Sequence, residues 1–337
     1  MSTKMFAIGN FTAMAITMAT GAGLAALPWA PAMAAPEAPY PAKPVRWIVP
    51  YPAGGGSDFL ARSVGQALSA RLGQPVVVDN KPGGNTAIAA SETARAPADG
   101  YTVLSADNGT MVFNPALYKT LSYNPVKDLA PVTLLGRFPM ILVVGPGMHV
   151  SNVKEFIAQA KAKPGGIDYA SAGAGSPHHL SAELLLDRVQ ASAVHAPYKG
   201  TPPALQDVAG GQVDFMMADL SAAVPLIRAG RLRAIALPAE QRSAVLPDVP
   251  TFAEAGLAGF TAFAWQGVVV PTGTPPASVD KLNAAIAAAL KDPAVVRQMQ
   301  ELGLEPMGDS RAGFAAFVEN ERAKWGALIR AHKIVLD

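Results

Sequence analysis

The chain has 337 residues, 50% of them hydrophobic and only 15% charged, with a formal net charge of +2. That composition fills a globular core and excludes disorder, and a near-neutral chain without a basic block argues against nucleic acid as a partner. There are no cysteines, which excludes disulfides, zinc–thiolate centres and thiol catalysis.

The N-terminus reads as a secretory signal. Lys4 is the only charge among residues 1–34, an apolar stretch covers 5–27, and Ala32-Met33-Ala34 fits a small-x-small cleavage pattern. The mature protein is expected to begin at Ala35, in the periplasm. A retained membrane anchor fits less well, because Asn10, Thr12, Thr17 and Thr20 interrupt the stretch.

A strand is predicted at 45–50, followed by the turn Pro52-Ala53-Gly54-Gly55-Gly56-Ser57-Asp58. Leu60, Val64, Leu68 and Leu72, spaced by four, then predict a helix. A short strand at 76–78, a turn cluster at 79–84, a helix over 86–96 and a strand at 101–104 follow. Another strand is expected at 141–144, then a helix started by Asn152 and Glu155 and stopped at 164–166. A strand at 167–170 leads into a second turn, Ser171-Ala172-Gly173-Ala174-Gly175-Ser176-Pro177-His178-His179, and a helix over 177–187. Strands at 193–195, 213–217 and 232–237 alternate with helices near 203–209 and 222–229. The tail holds helices over 276–290, 293–302 and 312–332, the last presenting Phe314, Phe317, Trp325 and Leu328 as one packing face.

This alternation implies an α/β fold with a mostly parallel sheet flanked by helices. Ligands of such sheets bind at the carboxyl ends of strands, where both glycine turns lie. Three consecutive glycines carry an entropic cost that a plain connection does not need. Neither turn has the lysine of a P-loop or the spacing of a nucleophile elbow, so capture of a small anion is expected rather than chemistry on it. Chain length and the separation of the turns suggest two lobes, with crossovers near 129–138 and 260–267.

Seven motifs in order carry a family resemblance. They are Val49-Pro50-Tyr51-Pro52-Ala53-Gly54-Gly55-Gly56-Ser57-Asp58, Val78-Asp79-Asn80-Lys81-Pro82-Gly83-Gly84, Ala98-Asp99-Gly100-Tyr101-Thr102-Val103-Leu104, the segment from Tyr169 to Leu180, Pro197-Tyr198-Lys199-Gly200, Leu246-Pro247-Asp248-Val249-Pro250-Thr251 and Glu254-Ala255-Gly256. From about Tyr40 onward the chain resembles the Bug-type periplasmic solute receptors, the binding components of tripartite tricarboxylate transporters. The resemblance implies a two-lobed, type II-like Venus-flytrap binding protein. Its limits are expected at 43–137 with 265–337 for lobe 1 and 138–264 for lobe 2. It implies no enzyme activity and no cofactor. A small organic carboxylate would be the ligand, and membrane permease subunits or a sensor kinase the partners of a monomeric receptor. Carried over by position, the ligand contacts are Ala53, Gly54, Gly55, Ser57 and Asp58 in the first turn and Ser171, Ala172, Gly173, Ser176 and His179 in the second. Asp107, Asn108 and Thr110 after the 101–104 strand, and Asp219 on the second lobe, complete the set. Tyr51, Ala170, Asp79 and Lys81 stand where the family often has Phe, Gly, Glu and Arg.

Side-chain chemistry adds four readings. Asp58 can cap the first helix instead of touching ligand. Asp219, if it faces the cleft, favours a ligand with an amino, hydroxyl or protonated group. Trp265 can line the ligand body or pack in the core or hinge. Ser57, Ser171 and Ser176 keep open a secreted ester or amide hydrolase as the competing reading.

Overall fold

The computed structural model describes residues 40–162, 165–301, 303–331 and 334–336. The expected leader and the helix ends at Pro164, Leu302 and His332 lie outside the described residues. Among the described residues no helix is long and apolar enough to cross a membrane.

The chain opens with β1 (Val45–Val49), α1 (Gly56–Leu72), β2 (Val76–Asn80), α2 (Ala87–Ala94) and β3 (Thr102–Asp107). A wide π-type turn at Gly109–Phe113 and the short α3 (Asn114–Leu117) lead to β4 (Leu129–Val144), a strand of 16 residues. There follow α4 (Val153–Ala162), β5 (Asp168–Ser171), α5 (Pro177–Val189), β6 (Val194–Pro197), α6 (Thr201–Ala209), β7 (Phe215–Asp219), α7 (Leu220–Arg228) and β8 (Arg233–Ala236). The return passes through β9 (Phe263–Pro271) to α8 (Pro276–Ala289), α9 (Pro293–Glu301), β10 (Glu305–Pro306) and α10 (Arg311–Ala331).

The strands join in the order β2-β1-β3-β9-β4-β7-β5-β6, with β8 and β10 also on β4. The outer pairs, β1 with β2 and β3 and β5 with β6 and β7, are parallel, as the alternation predicts. The centre is antiparallel: β9 lies between β3 and β4, and β4 pairs with β7. A chain that leaves one half of a sheet and returns must run both ways through the junction. The expected crossovers fall in β4 and at the start of β9, which pair from Leu129↔Pro271 to Pro139↔Phe263. β3 extends to Asp107 because Ala106 and Asp107 pair with Gly267 and Gln266.

Each half-sheet is covered on both faces. Leu60, Val64 and Leu68 of α1 pack with Leu282, Ile286 and Met299 of α8 and α9 on one face of the first half. Phe113, Phe314, Trp325 and Ile329 cover the other. In the second half Phe156, Leu185 and Phe215 form one core, and Leu205, Val208 and Leu220 the other. Complete burial of each such side chain contributes about 1.5–3 kcal/mol, so the helices are fixed by their apolar stripes. The glycine turns are held at β1–α1 and β5–α5.

Candidate functional site

Gly55 is the extended N-cap of α1, and the first helical bond runs from Phe59 N to Gly55 O at 2.9 Å. The N–H groups of Gly56, Ser57 and Asp58 therefore have no helical acceptor. Ala53, Gly54, Gly55 and Gly56 are exposed. Gly54, with φ of +84°, donates its N–H to Asp58 Oδ2 at 2.9 Å. Asp58 also accepts from Arg62 Nε and from Asn80 Nδ2, each at 3.0 Å. Burial works against its charge, but the bonds from Arg62, Gly54 and Asn80 outweigh it and hold its pKa below the usual carboxylate value. Asp58 thus clamps the turn that precedes the helix. Ser57 Oγ accepts from Gln266 Nε2, which ties the turn to β9.

The second turn repeats the device. Ser176 caps α5 by accepting from His179 N at 3.3 Å, Pro177 supplies the first helical position, and His178 N–H is left over. His179 Nδ1 accepts the N–H of Gly175 at 3.0 Å. In both turns the third helical residue thus accepts from the residue four before it. His179 Nδ1 is thus an acceptor within the protein. Its ring also stacks on His195 at 4.0 Å between centroids, and His195 stacks on Tyr169 at 4.8 Å.

Burial, aided by His195, lowers His179 to about 3, and burial lowers His195 to about 4, from an ordinary 6.5. The unfolded chain takes up these protons near pH 6.5, whereas the folded one waits until about pH 4 and 3. Stability from the pair is therefore fully present above pH 6.5 and is lost as pH falls toward 4. The melting temperature of a His195→Gln variant is expected to fall less than that of the parent between pH 7 and 4. Equal falls would show that the stack does not titrate this way.

Ser171 is fully buried and its Oγ is engaged three ways: by Gly173 N at 3.1 Å, Gly173 O at 3.0 Å and His195 Nε2 at 2.7 Å. The hydroxyl closes the turn, and Ala172 and Gly173 stay half-buried beside it.

The expected loop at 107–110 is buried, the end of β3 passing straight into the π-type turn. Asp107 Oδ1 accepts from Thr110 N and Oγ1, both at 2.8 Å, and Oδ2 accepts from Tyr51. Burial pushes the Asp107 carboxyl above its usual range despite those bonds. Asn108 Oδ1 accepts from Trp265 N at 2.8 Å. Trp265 itself is 1% exposed, edge-on to Phe314 and Phe317, so its ring is core rather than the ligand wall that the sequence also allowed.

Thr110 Oγ1 lies 2.9 Å from the hydroxyl of Thr86, which with Asn85 takes the left-handed conformation, at φ +74° and +46°. That strain sits where the halves meet. A Cβ on Gly175 would lie 2.9 Å from Asn85 Nδ2, 2.9 Å from Leu117 Cδ1 and 2.8 Å from Leu336 Cδ1, so the second turn abuts the first half directly.

Asp219 ends β7 and is the N-cap of α7. Its Oδ2 lies 3.1 Å from His178 Nε2 and accepts from Thr201 Oγ1 at 3.0 Å. Burial opposes its charge, but attraction to His178 and these bonds keep its pKa low. Burial, then the charges of Asp107 and Asp219, push the Tyr51 phenol up, which places Asp219 within electrostatic reach of Tyr51 on the first half. Tyr51, Thr86, His178 and Thr201 are the members of this cluster that sequence reasoning did not select. The paired histidines were the one visible signal. A separate hollow of about 780 Å³ is bordered by Arg137, Glu240, Phe263 and Glu305, and touches neither turn.

Residues 60–334 match the model of the tripartite tricarboxylate transporter family receptor. BugT of Bordetella pertussis (strain Tohama I) is 37% identical over 292 residues, 86% of this chain and 90% of BugT. Among solved structures, R. palustris Rpa4515 with adipate is 36% identical with a TM-score of 0.81, covering 88% of this chain and 100% of that one. MatC from Rhodopseudomonas palustris with bound malate is 35% identical with a TM-score of 0.77, covering 86% and 100%. The fold is that of two-lobed periplasmic binding proteins. The chain belongs to the tripartite tricarboxylate transporter receptor family.

Proposed function

We propose that the protein is a periplasmic receptor that captures a small carboxylate between the two glycine turns and hands it, in a closed form, to membrane permease subunits. The observation that carries this reading is the matched pair of clamped turns. Asp58 and His179 each hold a glycine N–H, and of the residues carrying the remaining donors at the start of α1, Gly56 is exposed and Ser57 half-buried. Ala53, Gly54, Gly55 and Ser57 would approach the carboxylate from one lobe, and Ala172, Gly173, Ser176 and His178 N–H from the other. Asp107, Asn108 and Thr110 would shape the floor through the contacts already described. Closing excludes water and strengthens charge-assisted hydrogen bonds, and each helix end adds about 0.3–1 kcal/mol. Lobe 1 would comprise 43–137 and 265–337, lobe 2 residues 138–264, with the hinge in β4 and β9. The relatives with adipate and malate support a carboxylate as cargo. The saturated bonding of buried Ser171 supports binding without turnover.

Calorimetry of the mature protein against aliphatic, aromatic and amino-acid carboxylates tests this. Binding of at least one is expected, and binding of none by folded protein would falsify it. No protein atom stands within 4 Å of a Cβ placed on Gly54. Gly54→Val is therefore expected to weaken binding about tenfold, through blocked ligand approach, and to lower the melting temperature by roughly 2–8 °C through backbone strain.

A further inference from the structure

Three helices begin at one spot on the second lobe. His178 is the second residue of α5, Thr201 the first of α6, and Asp219 the N-cap of α7. Their side chains form one cluster, with Thr201 Oγ1 and His178 Nε2 both on Asp219 Oδ2. The positive helix ends and these two donors favour an ionised Asp219. Two acceptors of the cluster are unmet. Asp219 Oδ1 has no hydrogen bond among the described residues, and the Asp219 side chain is 23% exposed. His178 Nδ1 is shielded from solvent and unpaired, on a residue only 6% exposed. In the tautomer that places Nε2–H toward Asp219, Nδ1 carries a lone pair. Across the gap, Asp107 is already filled by Tyr51 and Thr110.

We infer that His178 and Asp219 form a specificity subsite that recognises a hydrogen-bond donor, a hydroxyl or an ammonium, carried by the bound carboxylate. This rests on the receptor reading above and narrows its ligand class to hydroxy- and amino-carboxylates. The ligand's acid group meets the N–H donors of the turns, and its donor group completes the two acceptors. An unsubstituted carboxylate leaves both unpaired in a closed, dry site, and a site built for a donor rejects the analogue lacking it.

Calorimetry of the mature protein on matched sets provides the test: succinate, malate and aspartate; adipate, 2-hydroxyadipate and 2-aminoadipate; phenylacetate, mandelate and phenylglycine. Within whichever set binds, the hydroxy or amino member is expected to bind at least about tenfold more tightly than the unsubstituted one. Asp219→Asn and His178→Asn, both close in shape to the parent residues, are expected to reduce that ratio to below about threefold, where circular dichroism shows a native fold. Unsubstituted members binding as tightly as their substituted partners in the unmodified protein overturns the subsite and leaves the receptor reading standing. A ratio unchanged in both folded variants does the same. No binding in any set overturns both. The wild-type ratio needs no variant to fold.

Discussion

Gly175→Val is expected to weaken carboxylate binding by about 100-fold or more while the chain still folds. Gly175 has φ of +75°, which costs an L residue about 1–2 kcal/mol and a β-branched one more. Its Cα faces Asn85, Leu117 and Leu336, and a Cβ there would stand 2.8–2.9 Å from atoms of all three. These contacts cross from the second lobe to the first and to the segment that follows α10. A valine there must displace the ends of those three side chains, all at the contact between the lobes, so the cost of the displacement falls on the form in which the lobes touch. If ligand is held by that form, its apparent affinity falls with the closed population. A penalty of about 3 kcal/mol corresponds to about 100-fold. Calorimetry measures the loss, and small-angle scattering with saturating ligand should find the variant more extended than the parent. Wild-type affinity and compaction would show that this contact is incidental to closure.

The second large effect concerns stability. Gly267 lies in β9, paired with Ala106 of β3 and Leu134 of β4, at the point where both central strands meet. The Phe314 ring from α10 rests on it: a Cβ would overlap Phe314 Cζ and come within 2.7 Å of Cε1 and 2.8 Å of Cε2. Phe314 is fully buried and also edge-on to Trp265, so it has no free direction in which to yield. Gly267→Ala should cost about 2–3 kcal/mol, the upper part of the usual range for overpacking a close-packed core. That corresponds to a fall of roughly 4–12 °C in melting temperature for a chain of this size class. Adding Phe314→Leu should recover part of the loss, because the two sites share one contact. Additive destabilisation in the double variant would contradict the proposed contact.

Local patterning carried much of the architecture. The four-residue spacing of Leu60, Val64, Leu68 and Leu72 fixed α1, and Ser176-Pro177 marked the start of α5, because both signals act within a few residues. The antiparallel centre was not legible. β4 and β9 find each other across more than a hundred residues, and nothing in either segment names its partner. The glycine turns were visible as candidate cradles, but their internal clamps were not. Whether His178 or His179 turns toward Asp219 depends on the rotational phase of α5, set by Leu180, Ala182, Leu185 and Leu186 packing inward. Thr86 at positive φ had no sequence signal at all, since a β-branched residue argues against that conformation.

The most direct test of the account is the position of a bound carboxylate in a crystal of the mature protein grown with its tightest-binding ligand. The acid group is expected within hydrogen-bonding distance of the N–H groups of Gly56 or Ser57 at the start of α1, with the second turn closing from the other lobe. A carboxylate seated instead in the hollow beside Arg137, or held away from both turns, would contradict it.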